Sequence, residues 1–268
     1  MRYGSNTIRS FEWVAKSIEP KVAIVIPARL ESTRLPRKLL LNETGKSVLQ
    51  HTYEAACKAQ VPSRVIVAAD DRLLADEVEQ FGGEVVMTDP NAACGTDRVA
   101  EVAKAIPEFD VIINVQGDEP DVSPQAIDEA ANLLIKDEFL QMATLATPIE
   151  SHEQLADPAC VKVVLDVMNR ALYFSRSPIP YGRDQQGDIS DDQGPICFQH
   201  VGLYAYRRDF LLQFSQMAPS RLEQFEGLEQ LRVLEAGIDI RVAIVNERSF
   251  GIDTPEDYQR FVASKKAA

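Results

Sequence analysis

The sequence predicts an α/β fold with a mostly parallel sheet covered by helices and a smaller antiparallel insertion lobe. Three observations carry that prediction. Apolar, Val- and Ile-rich runs of strand length alternate with helical stretches through the first half of the chain. The first of these runs, VAIVI at 22–26, is apolar throughout rather than at every second position, as expected of a strand buried on both faces. From about residue 158 the rhythm changes to closely spaced strand signals, broken by an Asp- and Gln-rich loop at 183–194.

Taken in order, the strand at 22–26 is expected to end at Pro27 and to feed a polar loop carrying Arg29, Arg34, Arg37 and Lys38. A buried strand that runs into a cationic turn suits a polyphosphate. The alternative is a solvated basic loop. Further strands are predicted at 64–69, 84–88, 111–116 and 142–147, with helices at 47–59, 71–81, 96–106 and 124–135 between them. Ligands of such sheets bind beyond the carboxyl ends of the strands, so the loops after Ile26, Ala69, Thr88 and Val115 should share one rim. Strands at 161–166, 171–175 and 201–206 then build the lobe, placed at about 158–220. A helix at 227–236, a strand at 239–245 and a helix from Pro255 complete the chain. Residues 21–268 read as a single domain. Residues 1–20 read as an N-terminal extension, either a short amphipathic helix or a frayed segment, and the 183–194 loop as the best candidate for a mobile element.

The 268 residues suffice for one large α/β domain. The net charge of −13 argues against a nucleic-acid surface. An anionic substrate must then be met by clustered Arg and Lys, or by metal ions on carboxylates. The cysteines Cys57, Cys94, Cys160 and Cys197 form no Cys-x-x-Cys pair and read as reduced thiols of a cytoplasmic protein. No 18-residue apolar run is present, so no membrane insertion is expected, and the first 20 residues lack the apolar core of a secretory signal. Neither a P-loop nor a Gly-x-Gly-x-x-Gly fingerprint occurs, and no Gly-x-Ser-x-Gly nucleophile is found.

Chemistry concentrates in a few motifs. Gln116-Gly117-Asp118-Glu119-Pro120 follows an apolar strand, and an acidic pair at a strand end suits Mg²⁺ bound through one or two carboxylates plus substrate phosphates. A turn or helix-capping aspartate is the alternative. Gly251-Ile252-Asp253-Thr254-Pro255-Glu256-Asp257 offers a second carboxylate, Asp253, just ahead of a Thr254 cap and a proline at the first helical position. Cys94-Gly95-Thr96-Asp97-Arg98 opens a helix, where Arg98 faces either a ligand or Glu101. Arg176, in a Pro-rich apolar stretch, is suited to a carboxylate. His200 is either a polar wall or a structural residue, and His51 and His152 are assigned nothing.

Together and in this order, these motifs resemble the cytidylyltransferases that make CMP-activated sugar acids, and within them the CMP-Kdo synthetase family. The segments that carry the resemblance are IPARLESTRLPRK at 26–38, CGTDR at 94–98, NVQGDEP at 114–120, VKVVLD at 161–166, ALYFSRSPIPY at 171–181, HVGLYAY at 200–206, LEQLR at 228–232 and GIDTPEDYQR at 251–260. The resemblance implies a Rossmann-like nucleotide-diphospho-sugar transferase fold. It also implies transfer of CMP from CTP to 3-deoxy-D-manno-octulosonate (Kdo) with Mg²⁺ as cofactor, for lipopolysaccharide precursors, in a homodimer joined through the lobe. By the same resemblance Arg29 and Lys38 are expected on the triphosphate, and Ala28 and Arg98 at the cytosine end. Asp118 and Asp253 are expected to hold the metal, so that Lys38, Asp118 and Asp253 form the catalytic set. Gln116, Arg176, His200, Tyr204, Glu229 and Gln230 are expected around the sugar acid. Three departures stand out: Arg37 where the family usually has Gly, Cys94 where Ser is common, and Gln199 where a basic residue often precedes the histidine. Two other readings keep the scaffold: another acceptor, such as sialic acid, or a non-catalytic nucleotide or sugar-acid sensor.

Overall fold

In the computed structural model, which describes residues 19–183, 189–191, 194–247 and 250–267, strand β1 (Val22–Ala28) is buried along its whole length. Val22, Ile24 and Ile26 join one apolar cluster, while Ala23 and Val25 join another on the opposite face. Period-2 geometry sends successive side chains to opposite faces, and both faces are covered. That is why the run is apolar without alternation. The expected extension at 1–20, up to residue 18, and most of the 183–194 loop lie outside the described residues.

The first half follows the predicted rhythm: α1 (Val48–Ala56), β2 (Arg64–Ala69), α2 (Arg72–Gln80), β3 (Val85–Met87), α3 (Gly95–Ala105), β4 (Val111–Asn114), α4 (Pro124–Lys136) and β5 (Met142–Pro148). The helix starts are chemically marked. Ser47 accepts from the Gln50 amide at 3.1 Å, Asp71 from Leu73 at 2.8 Å, and Ser123 from Ala126 at 3.2 Å. Then come α5 (His152–Ala156), β6 (Lys162–Leu165), β7 (Ala171–Ser175), the short β8 (Ser190–Asp191) and β9 (Gly194–Pro195), and the long β10 (Phe198–Arg207). The chain closes with α6 (Arg208–Phe214), α7 (Arg221–Glu226), α8 (Leu231–Glu235), β11 (Ile240–Ile244) and α9 (Pro255–Ala267).

The main sheet has the order β11-β5-β10-β4-β1-β2-β3. β1 pairs in parallel with both β2 and β4, β2 with β3, and β5 with β11. β10 runs antiparallel between β4 and β5. β6 pairs with the start of β10 and with β7, so the antiparallel part is continuous with the main sheet. Helices α1, α2 and α4 pack with the β1 cluster that holds Ile24, and α3 and α6 with the cluster that holds Val25. Strand order therefore reverses at β1, with α1 on one face and α3 on the other. A crevice opens at that switch point.

Several predictions of element boundaries need correction. Pro27 lies inside β1, whose pairing with β2 runs through Pro27 opposite Ala68 to Ala28 opposite Ala69. Val25 carbonyl accepts from Val115 on the β4 side at 3.2 Å, and Ala28 carbonyl accepts from Asp70 on the β2 side at 3.2 Å. Pro27 therefore faces the β4 side, where the last register pair is Val25 with Asn114. A missing N–H costs nothing where no ladder continues. The helix predicted at 227–236 is the shorter α8, because Gly227 adopts φ +66° and ends the preceding helix α7 instead of opening a new one. A Ser220–Glu223 capping box starts α7. The helices α5, α6 and α7 were not predicted; each is short, and none carries a long apolar periodicity.

Arg37 sits at φ 52°, ψ 32°, the left-handed region, at the start of the one-turn 3₁₀ helix Lys38–Leu40. A β-carbon there costs about 1 kcal/mol or more relative to glycine. The exchange R37G is expected to stabilise the fold by about 1 kcal/mol, raising the thermal midpoint by about 2–4 °C. Calorimetry that shows a lower midpoint for R37G would contradict the backbone assignment.

Candidate active site

A cavity of about 340 Å³ lies beyond the carboxyl ends of β1 and β4. Three stretches of chain line it, with Asp253 completing the wall. β1 and its exit loop give Ala28, Arg29, Glu31 to Arg34, Lys38 and Leu39. The approach to α3 gives Ala92 to Gly95 and Arg98, and the loop after β4 gives Gln116, Gly117 and Asp118. The loop after β2 supports the rim from behind. Asp70 accepts the Leu30 amide at 2.9 Å on one oxygen and Arg98 Nη2 at 3.2 Å on the other. The four loops expected to share a rim do converge.

Lys38 is the charged centre of this cavity. Its Nζ donates to Asp118 Oδ2 and, at 2.9 Å, to Asp253 Oδ1. Arg34 holds the other oxygen of Asp253 at 2.9 Å. The Lys38 side chain is only 14% exposed, which by itself disfavours the charged form. Burial is thus the largest influence on its pKa and pushes it down. The charges and hydrogen bonds of Asp118 and then Asp253 outweigh burial, so the pKa is raised and Lys38 is an ammonium.

Backbone contacts set the positions of the two carboxylates. The Ile252 amide donates to the Asp118 carbonyl at 2.9 Å, tying together the two loops that bear them. Asp257 accepts from the Asp253 and Thr254 amides and receives Thr254 Oγ1 at 2.9 Å, so Asp257 serves the helix start and Asp253 faces the cavity. At Gly117 a β-carbon would stand 2.9 Å from the Pro27 carbonyl oxygen, so only glycine lets the loop lie this close to β1. Asp118 and Asp253 are oxygen donors converging on one cationic point, a donor set that fits Mg²⁺. Among the described residues no group of three or more His, Cys, Asp or Glu could hold a metal ion. Substrate oxygens would have to complete its shell.

Seven of the expected site residues therefore line one cavity: Ala28, Arg29, Lys38, Arg98, Gln116, Asp118 and Asp253. Arg98 is neither a solvated side chain nor paired with Glu101. It is 2% exposed and donates to Thr88 Oγ1 at 3.0 Å and the Asp89 carbonyl at 2.8 Å, besides Asp70. Arg34 and Asp70 belong to the site but were not assigned a role from sequence. Arg34 stands in the cationic loop, and Asp70 follows a strand at the rim. Arg37 is exposed and does not line the cavity, so Arg34 rather than Arg37 is the additional cation.

Apart from Gln116, the residues expected around the sugar acid do not line the cavity. Glu229 joins the cavity wall from behind, receiving Thr96 Oγ1 at 2.7 Å and Cys94 Sγ at 3.3 Å. Burial raises the Glu229 pKa despite those donors. Burial, and then the charge of Glu229, push the Cys94 thiol up to about 12. Gln230 is buried, and its Nε2 has no hydrogen-bond partner among the described residues, an orphan donor that a ligand oxygen would satisfy. His200 packs edge-on against Phe174 at 5.0 Å and beside Tyr204 at 5.4 Å. Its Nε2 meets Thr144 Oγ1 at 3.0 Å, and that hydroxyl lies 2.8 Å from the Leu203 carbonyl. A hydroxyl with one hydrogen can give it to Leu203 and accept from a neutral, Nε2-protonated imidazole. Burial lowers the His200 pKa to about 3 and raises that of Tyr204. Arg176 does not line the cavity. Its guanidinium donates to the carbonyls of Glu226 at 2.9 Å and Pro158 at 3.0 Å.

A family model described as "Cytidylyltransferase" matches residues 23–240. A 3-deoxy-manno-octulosonate cytidylyltransferase of Rhodopirellula baltica is 52% identical over 244 residues, covering 91% of this chain and 98% of that protein. One of Geobacter metallireducens is 50% identical, covering 90% and 96%. A solved structure of CMP:2-keto-3-deoxy-manno-octonic acid synthetase complexed with CTP superposes with a TM-score of 0.85 at 42% identity, covering 92% of this chain and 99% of its own. A Leptospira borgpetersenii cytidylyltransferase, at TM-score 0.62 and 16% identity, shares the fold.

His200 has a folded pKa of about 3, below its ordinary 6.5, so the unfolded chain takes up the proton first as pH falls. Its contribution is complete above pH 6.5 and is lost on acidification from there towards 3. In urea titrations, the stability advantage of the native protein over H200N is expected to shrink between pH 7 and pH 4.5. An advantage independent of pH would refute the neutral, partly buried imidazole.

Proposed function

The chain belongs to the cytidylyltransferase family, and we propose from that premise that it transfers CMP from CTP to Kdo, releasing diphosphate. The observation that carries this reading is the convergence of three segments, far apart in sequence, on one cavity whose centre is Lys38 between Asp118 and Asp253. Relatives about half identical over nine-tenths of the chain bear the name of this reaction.

In this reading the triphosphate lies along Arg29, Arg34 and Lys38, with the cytosine towards Ala28 and Arg98. The anomeric hydroxyl of Kdo attacks the α-phosphorus in line. The new O–P bond forms as the bond to the β-phosphate bridging oxygen breaks, and the electron pair leaves with diphosphate. The hydroxyl proton passes to solvent. Two like charges about 4 Å apart repel by about 4 kcal/mol at an effective dielectric near 20, so cations must offset several such terms. The Lys38 ammonium, kept charged by its carboxylate neighbours, supplies one; Arg29 and Arg34 supply two more. Asp118 and Asp253 would hold Mg²⁺, which when bound would neutralise phosphate charge and lower the pKa of the attacking hydroxyl. The orphan Gln230 amide, Gln116, Glu229, His200 and Tyr204 would meet the sugar hydroxyls. Arg176 would meet the carboxylate after exchanging its carbonyl partners. Product would enter lipopolysaccharide precursors, made in the cytoplasm.

A homodimer is part of the proposal. Val167, Met168, Leu172, Tyr181 and Phe225 are large apolar side chains left exposed on the antiparallel part and the adjoining α7. Light scattering is expected to give twice the chain mass, and L172E to shift it to one; a native monomer would remove this element.

Diphosphate release is expected with CTP, Mg²⁺ and Kdo, and not with sialic acid or the other three nucleoside triphosphates. D118N and D253N are each expected to lose at least about 100-fold in kcat while keeping the native circular dichroism, because each removes a carboxylate that would hold the metal ion at the reacting phosphate. Near-normal turnover in either would sink the assigned role. CTP binding without release for any acceptor would favour a sensor.

A further inference from the structure

We propose that Thr52 is a positioning residue for this site: its hydroxyl fixes the Gly117–Asp118 peptide and so sets the placement of Asp118 relative to Asp253. The proposal rests on the functional reading above for its kinetic consequences and on the structure alone for its geometry.

Thr52 lies in the middle of α1, is fully buried, and belongs to the same buried helix face as Val48, Leu49 and Ala56. A valine would fill that space with the same shape and without the cost of burying a hydroxyl. The hydroxyl has a partner across the fold. Oγ1 donates to the Gly117 carbonyl at 2.9 Å, 65 residues away in sequence. The usual choice for a mid-helix threonine, the carbonyl four residues back, is Val48 at 3.2 Å, the longer of the two. One hydrogen is thus shared between the helix and the loop, with the loop nearer.

The loop is gripped on both sides at this point. Pro27 carbonyl crowds Gly117 from β1, at the 2.9 Å that a β-carbon would meet, and Thr52 holds the Gly117 carbonyl from α1. The next carbonyl, that of Asp118, receives the Ile252 amide. Two consecutive carbonyls therefore register three pieces of chain: α1, the loop after β4, and the segment that carries Asp253. Groups held by rigid elements beneath them keep the sub-ångström placement that phosphoryl chemistry needs.

Two substitutions separate hydroxyl from shape. T52V keeps the volume and loses the hydrogen bond; T52S keeps the hydroxyl and loses a buried methyl. T52V is expected to lower kcat by about 10- to 100-fold with KM for CTP changed less than about twofold. T52S is expected to lower the thermal midpoint yet hold kcat within about twofold of the native enzyme. If kcat instead follows thermal stability across the two variants, the role is structural only and the proposal falls. Amide hydrogen exchange gives a readout that needs no substrate. T52V, and not T52S, should speed exchange at Ile252. Unchanged protection in T52V would also overturn the proposal. Failure of the native protein to form CMP-Kdo, with the exchange pattern as expected, would sink the functional reading and leave the positioning role standing.

Discussion

A single ammonium group joins three parts of this molecule. Lys38 comes from the loop after β1, Asp118 from the loop after β4, and Asp253 from the segment ahead of the last helix, yet both carboxylates point at one nitrogen. Two carboxylates at such a separation repel in a partly desolvated cavity and would not stay together without a cation between them. The charge relation is reciprocal: the carboxylates keep Lys38 protonated against the penalty of its own burial. The arrangement is electrostatically complete without ligand and open to exchange, because a phosphate can take the ammonium while a divalent cation takes the carboxylates.

The sheet makes that convergence possible. β1 continues past the point where β4 stops, and it can do so because Pro27 presents no N–H to the side that β4 has left. The chain leaving β4 then folds over the freed end, with Gly117 against the Pro27 carbonyl. Proline and glycine act here as a pair. One removes a donor that would go unsatisfied and the other removes a side chain that would collide. The crevice at the strand-order reversal is the space that remains, and α3 and α1 close it from opposite faces.

Charge is distributed unevenly to suit an anionic ligand. The chain carries a net charge of −13, but the cavity is lined by Arg29, Arg34, Lys38 and Arg98 against Glu31, Asp118 and Asp253. Arg98 is spent partly on structure: it is locked to Asp70, Thr88 and the Asp89 carbonyl, which holds the far wall rigid. The neighbouring wing is quieter. Burial keeps His200 neutral and the Cys94 thiol unreactive, so this wing offers shape and hydrogen bonds rather than charge.

The sequence by itself determined the element rhythm of the first half, the doubly covered sheet, and the two acidic motifs with the basic loop between which a phosphate would lie. These are legible because strand period, helix caps such as Ser47 and Ser123, and strand-end motifs are local in the chain. It also placed Asp253 correctly in front of its helix, since Thr254, Pro255 and Asp257 form a recognisable start. The extent of β1 was not legible, because whether Pro27 can stay in a strand depends on which neighbour it faces. The start of α8 was placed four residues early, at Gly227, because a left-handed glycine that ends one helix and a glycine that opens another are the same letter. The partners of Arg98 and Arg176, the roles of Arg34 and Asp70, and the bond from Thr52 to Gly117 were decided only by tertiary structure. Most are contacts between segments well separated in the chain, and their direction depends on the crossing of strands and helices that no local pattern encodes.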